Sequence, residues 1–78
     1  MSNNGVAING EALRMARLRK GWSLRDVETA TGAAGAKVDF SNISRYERGD
    51  LRPYPRTLKA MADALDVTVD ELVATVAA

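Results

Sequence analysis

Apolar residues recur along this chain at a helical period, and the runs open in a common way. An apolar residue is followed by a polar one, and a second apolar residue stands four positions beyond that. The sets are Ile8, Asn9 and Leu13; Trp22, Ser23 and Val27; Val38, Asp39 and Ile43; and Val67, Thr68 and Leu72. This is the spacing of a helix N-cap enclosed by a hydrophobic staple. Asp26 and Glu71 occupy the capping-box position of the second and last sets. Another start is marked by Pro55, suited to a first helical turn, with Leu58 in the staple position. The stops agree: Gly21 follows Arg19-Lys20, Gly32 follows Thr31, Gly49 follows Arg48, and Asp66 stands where a left-handed residue is expected. The pattern predicts helices over about 10–20, 24–31, 40–48, 55–65 and 69–76, each boundary good to about two residues. Leu13 with Ala16, Leu58 with Met61, Ala62 and Leu65, and Val69 with Leu72, Val73 and Val76 each fall on one helical face. With no alternating β-branched runs, the expected fold is all-α, a bundle of five helices.

Length and composition narrow the function. With 78 residues the chain makes one domain, expected over 9–78 behind a flexible N-terminal arm at 1–8. It has no Cys and no His. Disulfides and the common zinc and iron–sulfur sites are thereby excluded, as are the usual neutral-pH general base and the thiolate nucleophile. A binding protein is expected rather than an enzyme, with no metal, cofactor or small-molecule substrate. No stretch approaches the roughly 20 apolar residues of a membrane span. Met1 to Gly5 lacks the basic and apolar regions of a signal peptide, so a cytoplasmic location is expected.

Net charge is only +1, but its distribution is uneven. All 11 basic residues lie between Arg14 and Lys59, among five acidic ones, whereas the other five acids flank that window. A basic middle with an acidic C-terminal segment suits a polyanionic partner.

The middle of the chain reads Ser23-Leu24-Arg25-Asp26-Val27-Glu28-Thr29-Ala30-Thr31-Gly32, then Val38-Asp39-Phe40-Ser41-Asn42-Ile43-Ser44-Arg45-Tyr46-Glu47-Arg48-Gly49. Here the sequence resembles the helix-turn-helix domains of the Cro and phage-repressor family, across roughly residues 11–74. Ile43-Ser44-Arg45-Tyr46-Glu47-Arg48-Gly49 is the most specific piece. Leu13-Arg14, Arg17 and Gly21 upstream, and Pro53, Thr57, Leu58, Ala62, Leu65, Val67 and Leu72 downstream, keep the family's spacing. The resemblance implies a lambda-repressor-like five-helix bundle that binds double-stranded DNA, with the third helix in the major groove.

Physical chemistry supports the same assignment. The N-terminal residues of a helix in the major groove face base edges. Here these are Phe40, Ser41, Asn42, Ser44 and Arg45, while Ile43 and Tyr46 lie on the opposite side. Arg45 can bind guanine bidentately, Asn42 can pair with adenine, and the serines can serve several bases. The second helix is expected to meet phosphate through its N-terminus, at Ser23 and the Leu24 amide, with Arg25 beside them. By resemblance Arg52 and Arg56, around the Pro-stiffened loop, clamp phosphates. The resemblance also pairs Arg17 with Glu47, linking the first and third helices, with Arg17 a further phosphate candidate.

The sequence departs from the family's pattern in three places. Ala33-Ala34-Gly35-Ala36-Lys37 is an insertion in what is normally a tight turn. Either the second helix continues to Ala34 and caps at Gly35, or a loop bulges outward. Lys37 is then either a solvated lysine or a phosphate contact. Glu28 stands where the family usually has a small Ala; it either occupies space opened by the longer turn or pairs with a cation. Phe40 is unusual at a groove-facing position: it contacts a thymine methyl or folds back onto the insertion.

A small core and an apolar last helix suggest a homodimer through Leu72, Val73 and Val76, reading a pseudo-palindromic operator. The rival reading is an antitoxin-like or anti-repressor protein-interaction module that uses the same helix.

Overall fold

The computed structural model describes residues 5–74. Five helices follow one another: α1 (Gly10–Arg19), α2 (Leu24–Ala33), α3 (Phe40–Arg48), α4 (Pro55–Leu65) and α5 (Val69–Leu72). The four side-chain caps form as the spacing requires. Asn9 Oδ1 accepts from the Ala12 amide, Asp39 Oδ1 from Ser41, and Ser23 and Thr68 close reciprocal capping boxes with Asp26 and Glu71. At the end of α4, Asp66 is left-handed, with φ 57°.

The helices enclose one core, built from Leu13, Ala16, Val27, Val38, Ile43, Tyr46, Leu58, Met61, Ala62, Leu65 and Leu72. It contains the apolar staple positions on both sides of the long turn, so α2 and α3 pack against each other, with α4 behind α2 and α1 behind α3. Among the described residues the helices are joined by no strand, only an isolated antiparallel bridge between Ile8 and Val73.

Three elements differ from the sequence expectation. The second helix runs through Gly32 to Ala33, with Ala34 as C-cap, and the turn comes at Gly35. Gly35 has φ 103°, a conformation that glycine adopts without steric cost. Of the two alternatives for the insertion, the helix extension is the one observed.

The fifth helix stops at Leu72 instead of running to residue 76. Val73 is extended, and the Ala74 amide donates to the Ala7 carbonyl at 3.0 Å. A hydrogen-bonding partner far away in the same chain has replaced the helical one. Val76 lies outside the described residues.

The described part of the N-terminal arm is docked. The Val6 amide donates to the Pro53 carbonyl at 2.8 Å, the Asn9 amide to the Leu72 carbonyl at 2.7 Å, and Val6 and Ile8 border the core. Gly5 lies so close to the Arg52 backbone that a Cβ would overlap it.

Candidate nucleic-acid interface

The central element of the site is α3, whose two ends are positioned separately. Near its C-terminal end, Arg17 of α1 holds Glu47 in a bidentate pair. Nε donates to Oε2 at 2.7 Å and Nη2 to Oε1 at 3.0 Å, while Nη1 donates to the Trp22 carbonyl at 2.9 Å. The side chains are 13% and 8% exposed. The hydrogen bonds to Glu47 raise the Arg17 pKa further, against the opposing pull of burial, so the guanidinium is permanently charged. All three of its nitrogens are engaged in this junction. Gly10, the first residue of α1, packs on the Tyr46 and Glu47 carbonyls, where a Cβ would overlap backbone.

At the other end, Glu28 of α2 reaches across the turn. Its Oε2 accepts from the Phe40 amide at 3.2 Å, capping α3 from outside beside Asp39. The space opened by the longer turn is therefore used by a carboxylate that binds a backbone amide. Thr31, 0% exposed, organises the rest. Its Oγ1 donates to the Glu28 carbonyl at 2.8 Å and accepts from the Val38 amide at 2.9 Å, and its carbonyl accepts from Ala36 at 3.1 Å. The Thr31 hydroxyl, the Glu28 cap and the close approach of Gly10 were not anticipated from sequence. Only the misfit of Glu28 signalled that something unusual happens there.

Between these anchors, α3 turns Ile43 and Tyr46 into the core. Ser41 and Arg45 are exposed, and Asn42 and Ser44 are half-buried. Arg48 donates to the Ser44 hydroxyl at 3.1 Å and to Asp50 at 3.2 Å, drawing Ser44 into a surface network. Arg45 makes no ion pair among the described residues. Phe40 does not fold into the core; the Arg25 guanidinium lies over its ring, 4.3 Å from the centroid.

The remaining candidates differ in exposure and in the contacts around them. Arg56 is exposed in the first turn of α4, Arg52 in the loop before it, and Lys37 at the end of the long turn. Ser23 caps α2, and Leu24 packs its side chain against the core. The capping box places the Asp26 carboxylate on the Ser23 amide, at the same helix terminus. Leu72, expected at a dimer face, is 1% exposed and belongs to the chain's own core, and Val73 borders that core and bridges Ile8.

Comparison with protein families agrees with this geometry. A family model described as a helix-turn-helix domain matches residues 10–75, nearly the whole chain. The chain belongs to that family, and α2, the extended turn and α3 are its helix-turn-helix unit, the framework of a DNA-binding domain. Neither the curated proteins nor the solved structures include a match. No helix among the described residues is long and apolar enough to cross a membrane.

Proposed function

We propose that this chain is a sequence-specific transcriptional regulator that binds double-stranded DNA as a homodimer, without catalysis, in the manner of a repressor or Cro-like protein. The observation that carries the reading is the outer face of α3. It is exposed, polar and headed by residues able to reach base edges, on a helix held at both ends. Arg45 and Ser41 read bases, with Asn42, Ser44 and Phe40 at the margins of the same surface. Arg56, Arg52, Lys37, the Ser23 hydroxyl and the Leu24 amide meet phosphate, positioning α3 without reading sequence. Arg17 serves the α1–α3 junction, and Arg25 serves Phe40.

A two-fold dimer on a pseudo-palindromic operator suits a protein that carries a single reading helix per chain. Leu72 and Val73 pack into the chain's own core and so offer a face to neither the dimer nor the protein-interaction rival; the two-fold reading rests on the single reading helix per chain.

Selection of bound duplexes from a random pool tests the reading, followed by binding of Arg45→Ala and Arg56→Ala at several salt concentrations. Arg45→Ala should lose preference at one base pair, most plainly a guanine, at a cost of about 1–3 kcal/mol. Arg56→Ala should weaken all duplexes alike and reduce the salt slope by about 0.9. Recovery of no preferred sequence would refute the reading. Sedimentation of the free and DNA-bound protein at micromolar concentration decides the dimer.

A further inference from the structure

Phe40 is an aromatic ring at the head of a helix whose outer face is otherwise polar. It stands outside the core cluster and outside the hydrophobic residues that border that cluster. Two contacts hold it in place. Its amide is fixed by Glu28 Oε2 at 3.2 Å, and the Arg25 guanidinium lies 4.3 Å from the ring centroid. Arg25 is itself exposed and makes no ion pair among the described residues. A cation over one face of a half-buried ring is attracted by the ring's π-face and favours this placement of the ring.

A phenyl ring offers no hydrogen-bond donor or acceptor to a base edge. In the major groove one feature complements it, the methyl group at C5 of thymine. The same group occupies the same place in 5-methylcytosine. We propose that Phe40, braced by Arg25, recognises the 5-methyl group of a pyrimidine in each half-site. The proposal rests on the reading of α3 as the groove helix, and it names what that helix's first residue selects.

The experiment uses the intact protein and the duplex recovered by selection. Each thymine is replaced in turn by uracil, which removes the methyl and nothing else. At one position per half-site, uracil should weaken binding about three- to five-fold, the effect of withdrawing one methyl from an apolar contact. Cytosine at that position should bind worse than thymine, and 5-methylcytosine should recover part of the loss; these arms distinguish the two sources of the methyl. In Phe40→Ala the uracil effect should vanish, and in Phe40→Leu, which keeps an apolar contact, part of it should remain. Arg25→Ala should shrink it; an undiminished effect there would overturn the brace.

The uracil arm leaves the protein unaltered, so it stands even if a variant folds poorly. A protein with strong sequence preference that is indifferent to every uracil and 5-methylcytosine replacement overturns the inference and leaves the proposed function intact. A uracil effect that persists in Phe40→Ala also overturns it, because another residue then reads the methyl. Absence of any preferred duplex overturns both readings.

Discussion

At its C-terminal end α3 is fixed by backbone packed on backbone and by a shielded ion pair. At its N-terminal end it is held by side chains reaching across an elongated turn. The first junction brings Gly10 onto the Glu47 carbonyl and closes Arg17 on the Glu47 carboxylate and the Trp22 carbonyl. The second relies on Thr31, Glu28, Asp39 and the Arg25–Phe40 stack. Close-packed backbone has no room to adjust, whereas side-chain caps can lengthen or be exchanged at small cost. The adjustable end carries Phe40, Ser41 and Asn42, three of the residues proposed to read bases, whereas Arg45 lies in the last turn. This division lets the turn and its caps vary without loosening the helix from the core.

If that division is right, variants at the C-terminal junction should cost stability first, and variants at the N-terminal junction should change base preference more than stability. Glu47→Ala should have the largest effect. It strands the Arg17 guanidinium in a site where it is 13% exposed, and should cost about 3 kcal/mol. A domain this small carries only roughly 4–12 kcal/mol in total, so the urea midpoint should fall steeply. Arg17→Met combined with Glu47→Leu should cost less than Glu47→Ala, because no charge is left stranded. A double variant as unstable as the single one would show that the pair's worth lies in its own attraction.

Gly10→Ala should cost about 1–3 kcal/mol, since a Cβ there meets backbone that cannot rotate away. A loss below about 0.5 kcal/mol in urea unfolding would mean that α1 slides freely on α3, and the contrast between the two ends would fail.

Thr31→Val crosses to the other junction. It preserves shape while leaving the buried Val38 amide without its acceptor, and should cost about 1–2 kcal/mol. Faster hydrogen exchange at Val38 with little change at Tyr46 and Glu47 would show that the damage stays local. Glu28→Ala should cost less, about 1 kcal/mol, the usual worth of a cap. It should also change which duplexes are selected, because the first turn of α3 loses one of its two carboxylate caps. Glu28→Gln keeps an acceptor and should keep the wild-type preference. Identical duplexes selected by wild type and Glu28→Ala would show that the cap does not orient the reading helix.

How much of this was legible in the sequence depends on how far apart the interacting residues lie. Caps and staples act within one turn. Hence α3 and α4 have the expected limits, and α1 differs by one residue. The Arg17–Glu47 pair spans 30 residues and was reached only through the family resemblance. Gly32 reads as a stop because glycine ends many helices, but α2 runs through it, anchored on the buried Thr31 side chain, and the chain turns three residues later. The sequence pattern extends the last helix too far because Val73 and Val76 suit a helical face equally well. What draws Val73 into extended backbone is Ile8, 65 positions away, and no local pattern reveals such a pairing. The Glu28 cap, the Gly10 approach and the Arg25 stack on Phe40 are likewise contacts between elements, set by packing.

The smallest expected effect is one of pH, and it belongs to the C-terminal junction. Tyr46 is 6% exposed, and burial, then the neighbouring Tyr54, raise its pKa above the ordinary tyrosine value of about 10. The phenol therefore holds its proton more tightly in the folded chain than in the unfolded one. Its contribution to stability is fully present below about pH 10 and is lost as pH rises through the folded-state value. The Arg17 guanidinium is also raised and keeps its charge over this range, so the ion pair does not fail at the same time. Urea midpoints measured from pH 8 to pH 11 should fall at the alkaline end for the wild type. The informative quantity is the difference from Tyr46→Phe, which should fall less steeply. Parallel curves would mean that Tyr46 ionises as easily folded as unfolded. The C-terminal end of α3 would then be open to water, contrary to the contrast between the helix's two ends.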